Sequence, residues 1–169
     1  MSDKKARGYF AIGAEGISKP MNLGNLMRSA HAFGASFIFT VDAHYTVRQG
    51  RYDTYKAKHL LPYYAWETVA EMQLPKDCRL VGVELTEDAI ELPSFRHPSR
   101  AAYVLGREKG SLSPQMMERC EFVVKIPTAF CINLATAGAI VMYDRLRSSG
   151  AFAERPVRAG GPPAGVGRR

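Results

Sequence analysis

The feature that most constrains the fold is the character of the apolar runs. Residues 9–12, 36–41, 79–85, 101–105 and 122–126 are short and close to continuously apolar, rather than alternating apolar with polar. A strand with one face in water alternates, whereas a strand covered on both faces need not. Between these runs lie stretches whose apolar residues recur at helical spacing. Strands and helices in alternation predict an α/β domain: a parallel sheet with helices on both faces. In such sheets ligands bind beyond the carboxyl ends of the strands, and Gly13, Gly106 and Pro127 are expected to mark such ends.

The helical stretches can be placed from spacing and punctuation. After a loop over 13–21, Leu23, Leu26, Met27, Ala30 and Phe33 recur at helical intervals, with Gly34 as C-cap. Tyr64, Val69 and Met72 predict a helix over 62–72, between Pro62 and Pro75. Ser113-Pro114 opens a short helix to about Arg119, with proline suited to the first turn. The longest helix is expected over 132–146. One domain is expected over 8–148, with a tail at 1–7. A Pro-, Gly- and Arg-rich tail at 151–169 has too little to bury and is expected to be disordered.

Composition narrows the class of function. A chain of 169 residues, 46% hydrophobic, fits one domain with a buried core. A net charge of +7, part of it in the C-terminal tail, favours polyanionic partners, nucleic acid first. Three cysteines (Cys78, Cys120, Cys131) without a C-x-x-C pair argue against a disulfide framework and a cysteine-rich zinc site. The four histidines show no metal spacing, and no metal is expected. The charged N-terminus and the lack of an apolar run near about 20 residues predict a soluble, cytoplasmic protein that does not enter membranes.

Three segments are candidates for chemistry. In the first, a helical wheel over 22–34 sets Asn25 and Arg28 opposite the apolar stripe, roughly 140–160° from its centre. Arg28 is therefore no core residue; it is either a solvated surface arginine or one placed to meet phosphate. In the second, Leu105-Gly106-Arg107-Glu108-Lys109-Gly110, glycines flank a charged triplet just after a strand. That pattern is neither a P-loop nor a dinucleotide fingerprint, and an ordinary turn explains it as well. In the third, Asn133 precedes an alanine-rich helix that it could simply cap. The small residues at 135–139 would admit a close backbone, either of the sheet or of a second copy. Separately, residues 44–59 carry Arg48, Arg51, Lys56 and Lys58 against Asp53, a net +3, interleaved with Tyr45, Tyr52 and Tyr55. This suits phosphate contact with base stacking, or else a solvated loop.

Taken in order, the segments resemble the three motifs of the SpoU/TrmH branch of the SPOUT methyltransferases. They are Asn22-Leu23-Gly24-Asn25-Leu26-Met27-Arg28 with Phe33-Gly34-Ala35, then Val104 to Gly110, then Ile126-Pro127 followed by Asn133-Leu134 and a helix reaching Tyr143-Asp144. The short chain resembles the minimal, single-domain members. The resemblance implies a C-terminal trefoil knot, an exception among folds; a homodimer; S-adenosylmethionine as cofactor; and methylation of a ribose 2′-hydroxyl in tRNA or rRNA. Carried over residue by residue, it implies cofactor contacts at Glu84, Leu85, Gly106, Ile126, Cys131 and Asn133. It implies catalytic positions at Asn22, Arg28, Glu108 and Asn133, and RNA contacts at Arg28, Arg48, Arg51, Lys56 and Lys58. A guanidinium stays protonated in a protein, so Arg28 is expected to clamp phosphate and steady an alkoxide rather than act as a base. Cys131 departs from the family, many of whose members carry serine there. Two alternatives stay open: a non-catalytic RNA-binding module on the same fold, and a base-directed methyltransferase of the wider group.

Overall fold

The computed structural model describes residues 8–49, 61–108, 110–150 and 152–162. Seven parallel strands form one sheet: β1 (Tyr9–Glu15), β2 (Phe37–Val41), β3 (Tyr63–Trp66), β4 (Arg79–Val83), β5 (Ile90–Glu91), β6 (Arg100–Leu105) and β7 (Phe122–Lys125). Their order across the sheet is β3-β2-β1-β6-β4-β7-β5. The last two strands are both inserted: β6 between β1 and β4, and β7 between β4 and β5. The parallel, two-sided sheet expected from the continuous apolar runs is therefore what forms.

Two apolar clusters cover its faces. On one face Leu23, Leu26, Met27 and Ala30 of α1 (Pro20–Phe33) pack with Leu134, Ala137, Val141 and Met142 of α4 (Leu134–Ser149) on Ile12, Val81 and Tyr103. On the other, Leu112 and Met116, the latter in α3 (Pro114–Arg119), join Val69 and Met72 over Ala11, Phe39 and Val104. A further short helix, α2 (Tyr45–Gln49), follows β2. Left-handed Gly34 ends α1, as its sequence position suggests. The small residues of α4 serve this chain's own core: Gly138 packs against Leu26, Leu105 and Ile12.

Two local expectations are overturned. Residues 63–66 are an edge strand, paired with β2 from Ile38↔Tyr63 to Val41↔Trp66, and 67–72 are turns rather than helix. Val69 and Met72 do share a buried face, but Arg119 holds it by donating to the Val69 carbonyl and, at 2.9 Å, to that of Met72. A tertiary clamp thus mimics helical spacing. Gly13 does not end β1 but lies within it, where a Cβ would sit 2.3 Å from the Phe39 carbonyl oxygen. Residues 152–162 are exposed and form neither helix nor strand. Among the described residues no helix is long and apolar enough to cross a membrane, and no His, Cys, Asp or Glu group is arranged to hold a metal ion.

Candidate active site

Because β6, β4 and β7 are parallel neighbours, their carboxyl ends open side by side. There they border a cavity of about 290 Å³, near the lower end for small-molecule sites. Its floor is apolar, from Val83, Leu105, Ile126, Leu134 and Ala137, and its rim is polar, from Asn22, Glu84, Glu108 and Asn133. All six residues expected to touch cofactor (Glu84, Leu85, Gly106, Ile126, Cys131 and Asn133) line it.

Gly106 packs closely against its neighbours. A Cβ at this position would sit 2.7 Å from Glu84 Oε2 and 3.3 Å from the Leu112 nitrogen. A larger residue would displace the Glu84 carboxylate, which accepts from the Leu112 amide at 2.8 Å.

The polar rim is one hydrogen-bonded chain through all three sequence segments. Glu108 accepts from the backbone amides of Ser18 at 3.1 Å and Lys19 at 3.0 Å, and from the Ser18 hydroxyl and the Asn22 side-chain amide. Asn22 Oδ1 accepts from Asn133 Nδ2 at 3.1 Å. Asn133 Oδ1 accepts in turn from the Ala135 and Thr136 amides, so Asn133 does cap α4. A carboxylate can only accept and a backbone N–H can only donate. The two ends of the chain therefore fix the orientation of both asparagine amides. Burial alone would raise the Glu108 carboxyl pKa. The hydrogen bonds from Ser18, Asn22 and Lys19 outweigh it and hold Glu108 below its ordinary value.

Arg28 stands apart. It is exposed on α1 and does not line the cavity. Six residues after Asn22, it lies about 9 Å farther along the helix. Arg48 donates to the Ala43 carbonyl at 2.7 Å and forms an exposed ion pair with Glu67 at 3.4 Å. Arg51, Lys56 and Lys58 lie outside the described residues. Sequence reasoning missed Ser18 and Lys19, which grip Glu108, and Arg107, which lines the cavity and pairs with Asp42 at 3.1 Å. Nothing in their local sequence distinguishes them; their role follows from where β6 is inserted.

The residues present suit an S-adenosyl compound. The apolar floor suits a flat heterocycle, Gly106 adds a stretch of wall without a side chain, and the polar rim offers both donors and acceptors.

The profile of the SpoU rRNA Methylase family matches residues 9–143. Over 141 residues the chain is 26% identical to the tRNA (guanosine(18)-2'-O)-methyltransferase TARBP1 of Mus musculus. That match takes in 78% of this chain but spans only 9% of the length of that relative. The fold is shared with the SpoU methyltransferase AviRb from Streptomyces viridochromogenes in complex with AdoMet, with a TM-score of 0.70 at 22% identity over 83% of this chain and 60% of that one. It is also shared with a protein whose structure concerns 2-OH methylation of C/U34 on tRNA, with a TM-score of 0.72 at 18% identity over 86% of this chain and 93% of that one.

Proposed function

Since the chain belongs to the SpoU rRNA Methylase family, we propose that it is an S-adenosylmethionine-dependent RNA methyltransferase acting on a ribose 2′-hydroxyl, of tRNA before rRNA. The observation that carries this reading is the chain from Glu108 through Asn22 to Asn133, which joins all three motifs at the mouth of one cavity. The mouse relative is described as a tRNA 2'-O-methyltransferase, which supports ribose and tRNA as the target.

When bound, the cofactor supplies an electrophilic sulfonium methyl. The protein's task is then to align a weak nucleophile and to stabilise the charge that develops on its oxygen. Gly106, Ile126, Leu134 and Ala137 would hold the cofactor, while Glu108 fixes the loop after β6 against the start of α1. Asn22 and Asn133, locked in orientation, present fixed dipoles at the rim. Exposed Arg28, its charge retained throughout, binds an RNA phosphate outside the cavity and so positions the ribose for transfer.

The same reading includes a homodimer and a trefoil knot. Exposed Met21 and Phe130 beside the cavity mouth, and Ile140 and Tyr143 on α4, offer an apolar surface for a second copy. The insertion of β7 between two earlier strands is consistent with a threaded C-terminal segment. Arg48 is a further RNA contact in this reading, and so by their charge are Arg51, Lys56 and Lys58, which lie outside the described residues.

The test uses calorimetry with S-adenosylmethionine, then transfer of labelled methyl to total tRNA and rRNA followed by digestion to nucleosides. The expected product is a 2′-O-methyl nucleoside. Label on a base would move the assignment to base methylation, and absence of cofactor binding would favour a non-catalytic RNA-binding module.

A further inference from the structure

Glu15 is the most deeply buried carboxylate among the described residues, 1% exposed at the last position of β1. Among those residues no cation lies within ion-pair distance of it. Burying a carboxylate without a cation is costly unless hydrogen bonds compensate. Its one described hydrogen bond is to the Ser113 backbone amide, at 2.8 Å.

That partner is informative. Strands β1 and β4 are the two neighbours of β6, and the segment that leaves β6 runs from Gly106 to Ser113. Side chains alternate between faces along a strand. Gly13 and Glu15 therefore share the face of Ala11, which α3 covers, and Glu84 follows Val83 onto that same face. The two carboxylates thus stand at the ends of the flanking strands and take successive amides, Leu112 by Glu84 and Ser113 by Glu15, each at 2.8 Å. Earlier in the same segment Glu108 is held by Ser18, Lys19 and Asn22. The segment is therefore fixed at two separate points, Glu108 and Leu112–Ser113, and its residues Gly106, Arg107, Glu108 and Gly110 line the cavity.

We propose that Glu15 is a positioning residue for this wall: with Glu84, it fixes the outgoing limb of the 106–113 segment so that Gly106 and Glu108 are set for the cofactor before it arrives. The role as a cofactor wall rests on the function proposed above; the anchoring of the segment does not. Preorganisation of this kind lowers the ordering cost of binding. Glu15 does not line the cavity and acts through the backbone amide of Ser113. Ser113 itself caps α3, its hydroxyl accepting from Met116, so loosening Ser113 also frees the start of that helix.

The test compares Glu15→Met, which has similar volume but cannot accept a hydrogen bond, with Glu15→Gln, which keeps an acceptor. Two measurements are made on the full chain: S-adenosylmethionine affinity by calorimetry, and amide hydrogen exchange over 106–113 with and without S-adenosylmethionine. Glu15→Met is expected to weaken binding roughly tenfold to a hundredfold, the range for losing a hydrogen bond to a charged group. It is also expected to speed exchange at Leu112 and Ser113, with protection restored by saturating cofactor. Glu15→Gln is expected to recover most of both. A Glu15→Met protein with a lower melting temperature but wild-type affinity and wild-type exchange in this segment would overturn the proposal, since a purely structural role predicts that result. If Glu15→Met does not fold, Ser113→Pro removes the donor instead; its φ of −62° suits proline, and Ser113→Ala controls for the lost cap. If the wild type does not bind S-adenosylmethionine, the functional reading fails, and exchange alone still decides whether Glu15 fixes the segment.

Discussion

The side-chain amide of Asn133 donates to the side-chain oxygen of Asn22 across 3.1 Å, joining residues 111 positions apart. The direction of that bond is set from both ends. Glu108 requires the Asn22 amino group on its side, and the first amides of α4 require the Asn133 oxygen on theirs. Polarity, more than shape, is therefore what substitution here should test.

Asn22→Asp changes shape little but turns a donor into an acceptor facing the Glu108 carboxylate. It is expected to reduce methyl transfer more than Asn22→Ala does, because it adds repulsion to the lost bond. The loss of one partly buried partner beside a charged group corresponds to roughly a tenfold to hundredfold effect. Steady-state rates of the two variants, with cofactor affinity measured in parallel, check the order.

Glu108 sets an acid limit on stability. Its folded pKa lies below its unfolded value of 4.5, so the anchoring it provides is present above that value and is lost as pH falls through the lower folded value. Glu108→Gln should lack this step. Urea denaturation midpoints should fall more steeply for wild type than for the variant below about pH 4.5, and a parallel fall would remove Glu108 from the account.

His97 sets a second window at higher pH. Arg145 donates to the Tyr103 hydroxyl at 3.1 Å, leaving that hydroxyl to donate to His97 Nδ1 at 2.6 Å, while His97 Nε2–H donates to Asp144 at 2.8 Å. Burial lowers the His97 pKa below 6.5, opposed by Asp144 and aided by Arg145. The neutral ring is the folded form, so stability is full above about pH 6.5 and falls as acid charges the imidazole. His97→Phe should cost about 1–3 kcal/mol at neutral pH by leaving Tyr103 and Asp144 without their partner. It should also abolish that window in thermal melts.

Arg28→Ala is expected to abolish methyl transfer and leave S-adenosylmethionine affinity largely intact, since Arg28 lies outside the cavity. Calorimetry beside a transfer assay separates the two quantities. Full turnover in the variant would remove Arg28 from the catalytic set.

The three thiols should differ sharply in reactivity. Cys131 is exposed at the cavity wall. Burial, with the nearby Glu15 charge, pushes Cys120 up to about 12, and burial raises Cys78 as well. The thiolate is the reactive form, so iodoacetamide near neutral pH should label Cys131 first, and S-adenosylmethionine should slow that labelling. Labelling of Cys120 at a comparable rate would contradict its burial.

Much of this protein was legible in the sequence, and for physical reasons. Continuous apolar runs report burial on both faces, so the parallel sheet followed from them. Capping is local chemistry, so Gly34, Ser113 and Asn133 could be placed at helix ends. Gly106, Ile126 and Cys131, named through the resemblance, line one cavity. The sequence by itself did not determine whatever depends on non-local pairing. The turns at 67–72 mimic helical spacing because Arg119, far along the chain, clamps their carbonyls. Gly13 interrupts an apolar run without ending the strand. Glu15 and Glu84 are unremarkable acids until the insertion of β6 sets them on either side of the segment they hold. Asn22, Glu108 and Asn133 were expected at one site, but the direction of each hydrogen bond among them, and the exclusion of Arg28 from that chain, was decided by the tertiary structure alone. A side chain's type is written locally, whereas its partner is fixed only when distant strands come together in one sheet.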